Sequence, residues 1–182
     1  MSDKKVYRTI CDDNLISLGF INKNILSSIA PSNFEELIAA IRISRFEEEF
    51  VSDLFQQYIL NKSSQMHQNQ DPVLQELLNK TYGCLLYQEQ IMQLLHRLYG
   101  YSFYHAGYIL NALMHNKTKL LEEQKNMDDF IYKLISNTQN IAGGNKANFT
   151  ALSTMIYQYV WLYCYYPEEF NIIYNHIKSD NR

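Results

Sequence analysis

Apolar side chains recur at helical spacing in segment after segment of this sequence, and this periodicity restricts the fold more than any other feature. Residues three and four apart lie on one face of an α-helix, so such stripes mark faces that pack against a core. The clearest stripes are Phe34, Leu37, Ile38 and Ile41, then Val73, Leu74, Leu77 and Leu78, and then Ile91, Leu94, Leu95 and Leu98. The pattern predicts a mostly helical domain.

Capping signals place several helix boundaries. Ser32, with Glu35 three residues further on, is typical of a capping box, in which two side chains satisfy the free amides of a helix start. Asp71 before Pro72 predicts another start, because proline fits the first helical turn. Gly100 predicts the end of the helix that begins near Tyr87.

Other stretches are less defined by pattern. Residues 4–11 fit a short helix within a weakly patterned N-terminal stretch, 1–30, and the polar run at 61–70 is typical of a loop. A long charged helix is expected near 117–138. The aromatic segment 157–166 alternates like a strand but also covers two faces of a helix, so periodicity leaves both open. Pro167 predicts the first turn of a last helix.

Composition limits the classes of protein. A chain of 182 residues with 47% apolar and 19% charged residues is expected to fold as one domain over 1–182. Its net charge of −3 gives no general attraction to nucleic acid. The three cysteines form no CxxC pair, and no apolar run is long enough to span a membrane, so a cytoplasmic location without membrane association is expected.

Signatures of independent catalysis do not stand out. The sequence has no GxSxG motif, no P-loop and no Cys/His dyad with a readable spacing. His96, His105 and His115 are too widely spaced for a helical zinc pair, and no nearby cysteine or acid completes a ligand set. We therefore predict no catalytic residues, no metal site and no cofactor.

The block TYGCLLYQEQIMQLLHRLYG at 81–100 is too particular for generic helical patterning. It resembles the fingers region of the bacterial DNA polymerase III alpha subunit, the C-family replicative polymerase. The segment FEELIAAI at 34–41 with Arg45, and YQYVWLYCYYPEEF at 157–170, resemble flanking parts of the same region. The block's own matches are Thr81, Tyr82, Gly83, Tyr87, Gln88, Glu89, Gln90, Met92, Gln93, Gly100, Tyr101 and Ser102. The resemblance implies an all-α, multi-helix fold, with the aromatic segment helical.

The resemblance also shows what differs. Family members hold two metal ions on three palm aspartates, in segments before the fingers that nothing here matches. After Ala106 the family carries an acid, paired arginines and lysines suited to a triphosphate. This sequence has only Lys117 as a basic residue there, the other positions being Gly107, Leu110, Asn111, Met114, His115 and Asn116. A proline-glycine-proline loop is replaced by Phe46, Glu47 and Glu48.

Two interpretations of the remaining polar residues follow. They are either a remnant of a nucleotide or DNA site, or a brace for the loop at Gly83, and the loss of cationic partners favours the brace. Asn145 and Lys146 are what survives of a basic family run. The remnant set is Arg45, Tyr82, Gly83, Gln88, Glu89, Gln90, Lys117 and Lys146. The aromatic segment likewise either stacks on bases or packs against a core or partner, and packing is favoured because no basic stripe accompanies it.

Three functional hypotheses result. The first is a non-catalytic relative of these fingers, working as a protein or nucleic-acid interaction module linked to DNA replication. Its partner is expected to be protein, either polymerase components or a second copy, with weak or no DNA binding alone. The second is the fingers subunit of a split DNA-directed DNA polymerase whose palm is on another chain. The third is a gene fragment that folds but has no selected role.

Overall fold

A computed structural model describes residues 1–12, 22–45, 48–64, 71–115, 129, 132–133 and 144–180. All regular structure in these ranges is helical, which confirms the all-α prediction. The α-helices are α1 (Lys4–Ile10), α2 (Lys23–Ile29), α3 (Phe34–Ile43), α4 (Glu48–Ser64), α5 (Pro72–Leu78), α6 (Gln88–Tyr99), α7 (Phe103–His115), α8 (Lys146–Tyr165) and α9 (Pro167–Asp180), and a 3₁₀ turn spans Asn79–Thr81. None of the described helices is both long and apolar enough to cross a bilayer.

The chain divides into two compact units. The first comprises Met1–Ser44 with Asn148–Arg182, and the second comprises Arg45–Ala147. The boundary falls inside α8, after its second residue. The prediction of a single domain over 1–182 stays a prediction.

The first unit is built around α3, which is buried on nearly all sides. Residues 36–43 are all buried, although only one apolar face was expected. A helix with one apolar face would leave Glu36 and Arg42 in solvent, but both are buried and find partners inside the unit. The Glu36 carboxylate accepts hydrogen bonds from Ser32 and Asn33, and the Arg42 guanidinium lies 5.1 Å from the centre of the Phe149 ring.

The start of α3 lies one residue later than predicted. Asn33, not Ser32, is the N-cap, and its side-chain oxygen accepts a hydrogen bond from the Glu36 amide at 3.0 Å. Glu36 in turn accepts from the Ser32 amide at 2.8 Å. The capping box is therefore replaced by a related arrangement shifted by one residue, because asparagine caps at least as well as serine.

The predicted polar loop at 61–70 begins too early. Helix α4 continues to Ser64, so residues 61–64 are helical, while 65–70 lie outside the described residues. The Ser63 and Ser64 hydroxyls donate back to the Leu60 carbonyl at 2.9 and 2.8 Å. Asn61 donates its side-chain amide to the Tyr82 carbonyl at 2.7 Å. Polar residues thus extend this helix because their side chains find backbone partners.

The second unit has its core between α5, α6 and α7. The fully buried members of this cluster include Ile91, Leu94, Leu95, Ala106 and Ile109. Ile91, Leu94 and Leu95 belong to the stripe predicted for α6, and they share this cluster with Ala106 and Ile109 of α7. The expected long helix near 117–138 lies largely outside the described residues.

The structure also has the helix caps and helix ends that the sequence predicted at Asp71 and Gly100. Asp71 accepts from the Val73 and Leu74 amides, Gly100 ends α6 in the left-handed conformation, and Ser102 accepts from the His105 amide. The aromatic segment 157–166 is helical up to Tyr165, as the resemblance implied, and Pro167 opens α9.

Candidate functional site

The turn at Gly83 is the structural centre of the 81–100 block. Tyr82 and Gly83 both have positive φ angles, 51° and 77°, which turn the chain sharply after the 3₁₀ turn. The Gly83 amide donates to the Leu78 carbonyl at 2.9 Å, and the Cys84 amide donates to the Thr81 carbonyl at 3.0 Å. Glycine suits this conformation because it has no Cβ to clash.

Gln90 connects the end of this turn to α6. Its side-chain oxygen accepts from the Leu86 and Tyr87 amides at 2.8 and 3.0 Å. Its side-chain nitrogen donates to Thr81 Oγ1 at 2.9 Å and to the Leu77 carbonyl at 3.5 Å. The side chain is only 8% exposed, so both ends of its amide are used inside the protein.

Glu89 connects α6 to the start of α8. Its two carboxylate oxygens accept from the Lys146 amide at 3.0 and 3.1 Å, which satisfies a free donor at the start of that helix. The neighbouring Gln88 amide donates to the Gly144 carbonyl at 2.9 Å. The Lys146 ammonium lies 5.5 Å from the centre of the Tyr87 ring, within range of a cation–π contact.

The structure therefore brings together most of the predicted remnant residues. Tyr82, Gly83, Gln90, Glu89 and Lys146 are joined through the contacts just described, and Gln88 lies beside them. Arg45 occupies an exposed position in the turn that follows α3, and Lys117 lies outside the described residues. The side chains of Gln90 and Glu89 hydrogen-bond to other parts of the protein, and the assignment of this set to a nucleotide or DNA site stays a prediction.

Helix α7 carries Leu110 and Asn111, the positions at which the resemblance led us to expect paired arginines. Leu110 is 4% exposed and belongs to the core cluster of the second unit, while Asn111 is exposed. A cation at position 110 would be buried in this arrangement. The change to leucine thus removes a charge and adds apolar packing at the same position.

Two residues of the site had no sequence signal. Tyr58 packs edge-on against Tyr82, with ring centres 5.4 Å apart, and Asn61 holds the Tyr82 carbonyl. Both lie on α4, at least twenty residues before the block. Only an analysis of tertiary contacts could identify them, because neither spacing nor residue type distinguishes them.

Cys84, His96 and His105 are titratable side chains of the second unit. Burial raises the pKa of the Cys84 thiol to about 12, so it stays protonated and unreactive at neutral pH. His96 Nδ1 lies 2.7 Å from the Tyr101 carbonyl oxygen, and the His105 ring contacts those of Tyr101 and Tyr108. Across the described ranges, no cluster of three His, Cys, Asp or Glu side chains is placed to hold a metal ion.

Comparison with known proteins identifies the class. Residues 1–138 match the family described as the bacterial DNA polymerase III alpha subunit finger domain, and the chain belongs to this family. DNA polymerase III subunit alpha of Streptococcus pyogenes is 30% identical over 174 residues, covering 86% of this chain and 16% of the relative. The proteins of the same name from Treponema pallidum and Helicobacter pylori are 32% and 28% identical, over 81% and 93% of this chain. They are covered to 14% and 15% of their own length.

Proposed function

We propose that this chain is a non-catalytic relative of the DNA polymerase III alpha fingers that acts as an interaction module in DNA replication, with a protein as its main partner. The observation that carries the proposal is an apolar surface on α8 and α9. It comprises Trp161, Leu162, Tyr166, Ile172, Ile173 and Ile177, and we call it the α8–α9 surface.

The α8–α9 surface is unusually exposed for its composition. Ile172, Ile173 and Ile177 are 70%, 59% and 55% exposed, and Tyr166 is about half exposed. Between the two helices lies a cavity of about 250 Å³ with Leu162 and Tyr166 on one side and Phe170 and Ile173 on the other. Contiguous apolar patches of this kind mark interaction sites, because single exposed apolar residues are common but groups of them are not.

The brace at Gly83 supports the non-catalytic part of the proposal. Gln90 and Glu89 hold the turn and the start of α8, so their polar atoms are already used. The arginine positions of α7 hold Leu110 and Asn111. A triphosphate therefore finds a family scaffold without the cations that would stabilise it.

Protein is favoured over DNA as the partner. The net charge is −3, and nucleic-acid binding depends on neutralising phosphates with Lys and Arg. The α8–α9 surface offers apolar area rather than cations. Among the described residues that line the cavity, the charged one is Glu169, which would repel a phosphate backbone.

The test is affinity capture of replication proteins from the native cell with matched variants. The unsubstituted chain and Leu60→Glu are expected to recover polymerase components, whereas Ile173→Glu with Ile177→Glu loses them. Leu60 is a suitable control because it is an apolar residue, 65% exposed on α4, that belongs to the second unit and does not line the cavity between α8 and α9. Equal recovery by all three proteins overturns the proposal. Nucleotide incorporation by the captured complex that requires this chain would instead favour a split polymerase.

A further inference from the structure

A second concave surface lies on the first unit, between α1 and the connection from α2 to α3. This cavity of about 430 Å³ is lined by Lys4, Tyr7, Arg8, Cys11, Pro31 and Ser32, and we call it the α1 cavity. Its size falls in the range of ligand pockets, about 300–1,000 Å³. Most of the lining is apolar, and the charged residues among its described members, Lys4 and Arg8, are both cations.

The stability of α1 does not explain why it carries both of these cations. Lys4 is in the first turn, where the helix dipole disfavours positive charge, and this turn contains no acid. Arg8 is in the last turn, where the helix dipole favours a cation, but it follows Lys4 by four residues on the same face, where like charges repel. Within the described residues, neither side chain forms an ion pair or a hydrogen bond. The local structure therefore carries two uncompensated positive charges at the edge of a cavity.

The other polar groups of the cavity are already bonded. The Tyr7 hydroxyl donates to the Met1 carbonyl at 3.1 Å, and the Ser32 hydroxyl donates to the Glu36 carboxylate at 3.1 Å. Cys11 Sγ lies 3.9 Å from the Leu26 carbonyl oxygen. The cavity can thus receive an apolar group on its floor and an anion at its edge, but offers few partners for further polar atoms.

The apolar floor and the cationic edge of the α1 cavity favour an acidic peptide over a nucleic acid. A nucleobase would leave its polar edge without partners, and the Tyr7 ring is too buried, at 3% exposure, to provide a stacking face. An aliphatic or aromatic side chain of a peptide needs no such partners. Neighbouring Asp or Glu side chains could then pair with Lys4 and Arg8.

We propose that the α1 cavity binds an acidic peptide segment, with one apolar side chain in the cavity and carboxylates on Lys4 and Arg8. Charge complementarity is the main argument. Burial raises the pKa of Tyr7 in the cavity lining, and the buried Glu36 carboxylate, which accepts three hydrogen bonds from Ser32 and Asn33, contributes to this rise. The carboxylates of the peptide are therefore placed at the edge on Lys4 and Arg8, and the apolar side chain inside. The proposal does not depend on the α8–α9 surface or on the proposed function.

The test is fluorescence anisotropy with the fluorescein-labelled peptide Glu-Asp-Leu-Phe-Asp-Glu and the full chain. We expect saturable binding that weakens with added salt, because the pairs are exposed. Lys4→Glu with Arg8→Glu is expected to lower the affinity by about five- to thirty-fold, the effect of two such pairs. The matched control is Lys62→Glu with Lys80→Glu, which changes the net charge equally outside the cavity. It should bind almost as the unsubstituted chain does.

A second variant and a second peptide complete the anisotropy experiment. If the charge-reversed variant loses its helical circular dichroism, Lys4→Ala with Arg8→Ala replaces it, since alanine favours helix. A peptide with Asn and Ser in place of Leu and Phe should bind more weakly. Absence of saturable binding, or equal losses in both reversed variants, overturns the proposal. Tighter binding of oligothymidylate that is lost with Lys4→Ala and Arg8→Ala would also overturn it, in favour of a nucleic-acid site.

Discussion

The side-chain nitrogen of Gln90 donates a hydrogen bond of 2.9 Å to Thr81 Oγ1, and thereby joins the first turn of α6 to the 3₁₀ turn before it. Thr81 Oγ1 also lies 2.6 Å from the Cys84 carbonyl oxygen, to which it donates. One buried chain of hydrogen bonds therefore runs from α6 through Thr81 to the segment after Gly83. Such a network is sensitive to the loss of any member, because buried polar groups without partners are costly.

The first prediction concerns Gln90. Gln90→Ala removes the acceptor of the buried Leu86 and Tyr87 amides, so we expect the free energy of unfolding to fall by about 2–4 kcal/mol. Urea denaturation followed by circular dichroism measures this. Gln93→Ala is the matched control, because Gln93 is exposed on the same helix, and its effect should stay within about 0.5 kcal/mol. Equal effects of the two changes would show that the Gln90 network contributes little.

Much of the fold could be predicted because its signals are local. The stripes of α5 and α6, the Asp71 cap and the helix end at Gly100 depend on residues within a few positions of one another. The burial of Glu36 and the extension of α4 to Ser64 could not be predicted. They depend on partners whose proximity only folding creates, such as Tyr82 for Asn61.

The candidate site shows the same division. The 81–100 block and its resemblance identified Gln90 and Glu89, but both a nucleotide remnant and a brace fitted the sequence. The contacts that describe a brace reach Thr81, nine residues away, and Lys146, 57 residues away. The sequence pattern of one helix cannot predict the contact between Glu89 and Lys146.

The second prediction compares two glycines with equally open surroundings. A Cβ added at Gly100 or Gly107 would meet no atom within 4 Å, but only Gly100 has a positive φ, 67°. Gly100→Ala should therefore destabilise the fold by about 1–2 kcal/mol through backbone strain. Gly107→Ala, inside α7, should stabilise it by about 0.5–1 kcal/mol. Thermal and urea unfolding measure both, and changes of the same sign would contradict the assignment of the α6 terminus.

The third prediction concerns cysteine reactivity. Burial raises the pKa of Cys84 from 9.0 to about 12, whereas Cys11 and Cys164 are partly exposed. Because the thiolate is the reactive form, Cys11 and Cys164 should react with a disulfide reagent at pH 8 well before Cys84. All three should react at similar rates in concentrated urea. Rapid reaction of Cys84 in the native protein, read by mass spectrometry of peptides, would contradict its burial.

The same thiol predicts a direction for stability at alkaline pH. The unfolded chain releases the Cys84 proton near its ordinary pKa, while the folded protein retains it up to about 12. The folded state therefore binds more protons in this window, so this contribution to stability is present below pH 9 and is lost as the pH rises towards 12. Cys84→Ala should make the alkaline decrease in stability less steep than it is in the unsubstituted chain.

The fourth prediction concerns nucleotides. We expect no saturable heat in calorimetric titration with deoxynucleoside triphosphates and Mg²⁺ at about 1 mM, a concentration that would detect binding of about −4 kcal/mol. The physical reason is the charge around the block. The Glu89 carboxylate faces the start of α8, and Leu110 and Asn111 provide no cation. A triphosphate would lose its hydration without an equivalent set of charge-assisted hydrogen bonds.

Substituted variants would identify the residues responsible for any heat of nucleotide binding. If heat is observed, Lys146→Ala and Arg45→Ala examine whether the remnant residues cause it, and Lys62→Ala serves as a control lysine. Loss of the heat with Lys146→Ala alone would contradict the brace interpretation, because the Glu89 contact uses the Lys146 backbone amide and survives this change. Heat that persists in every variant would come from another surface. If the chain keeps the fingers scaffold but lacks the phosphate-binding cations, the unsubstituted chain should release no heat on titration with nucleotides.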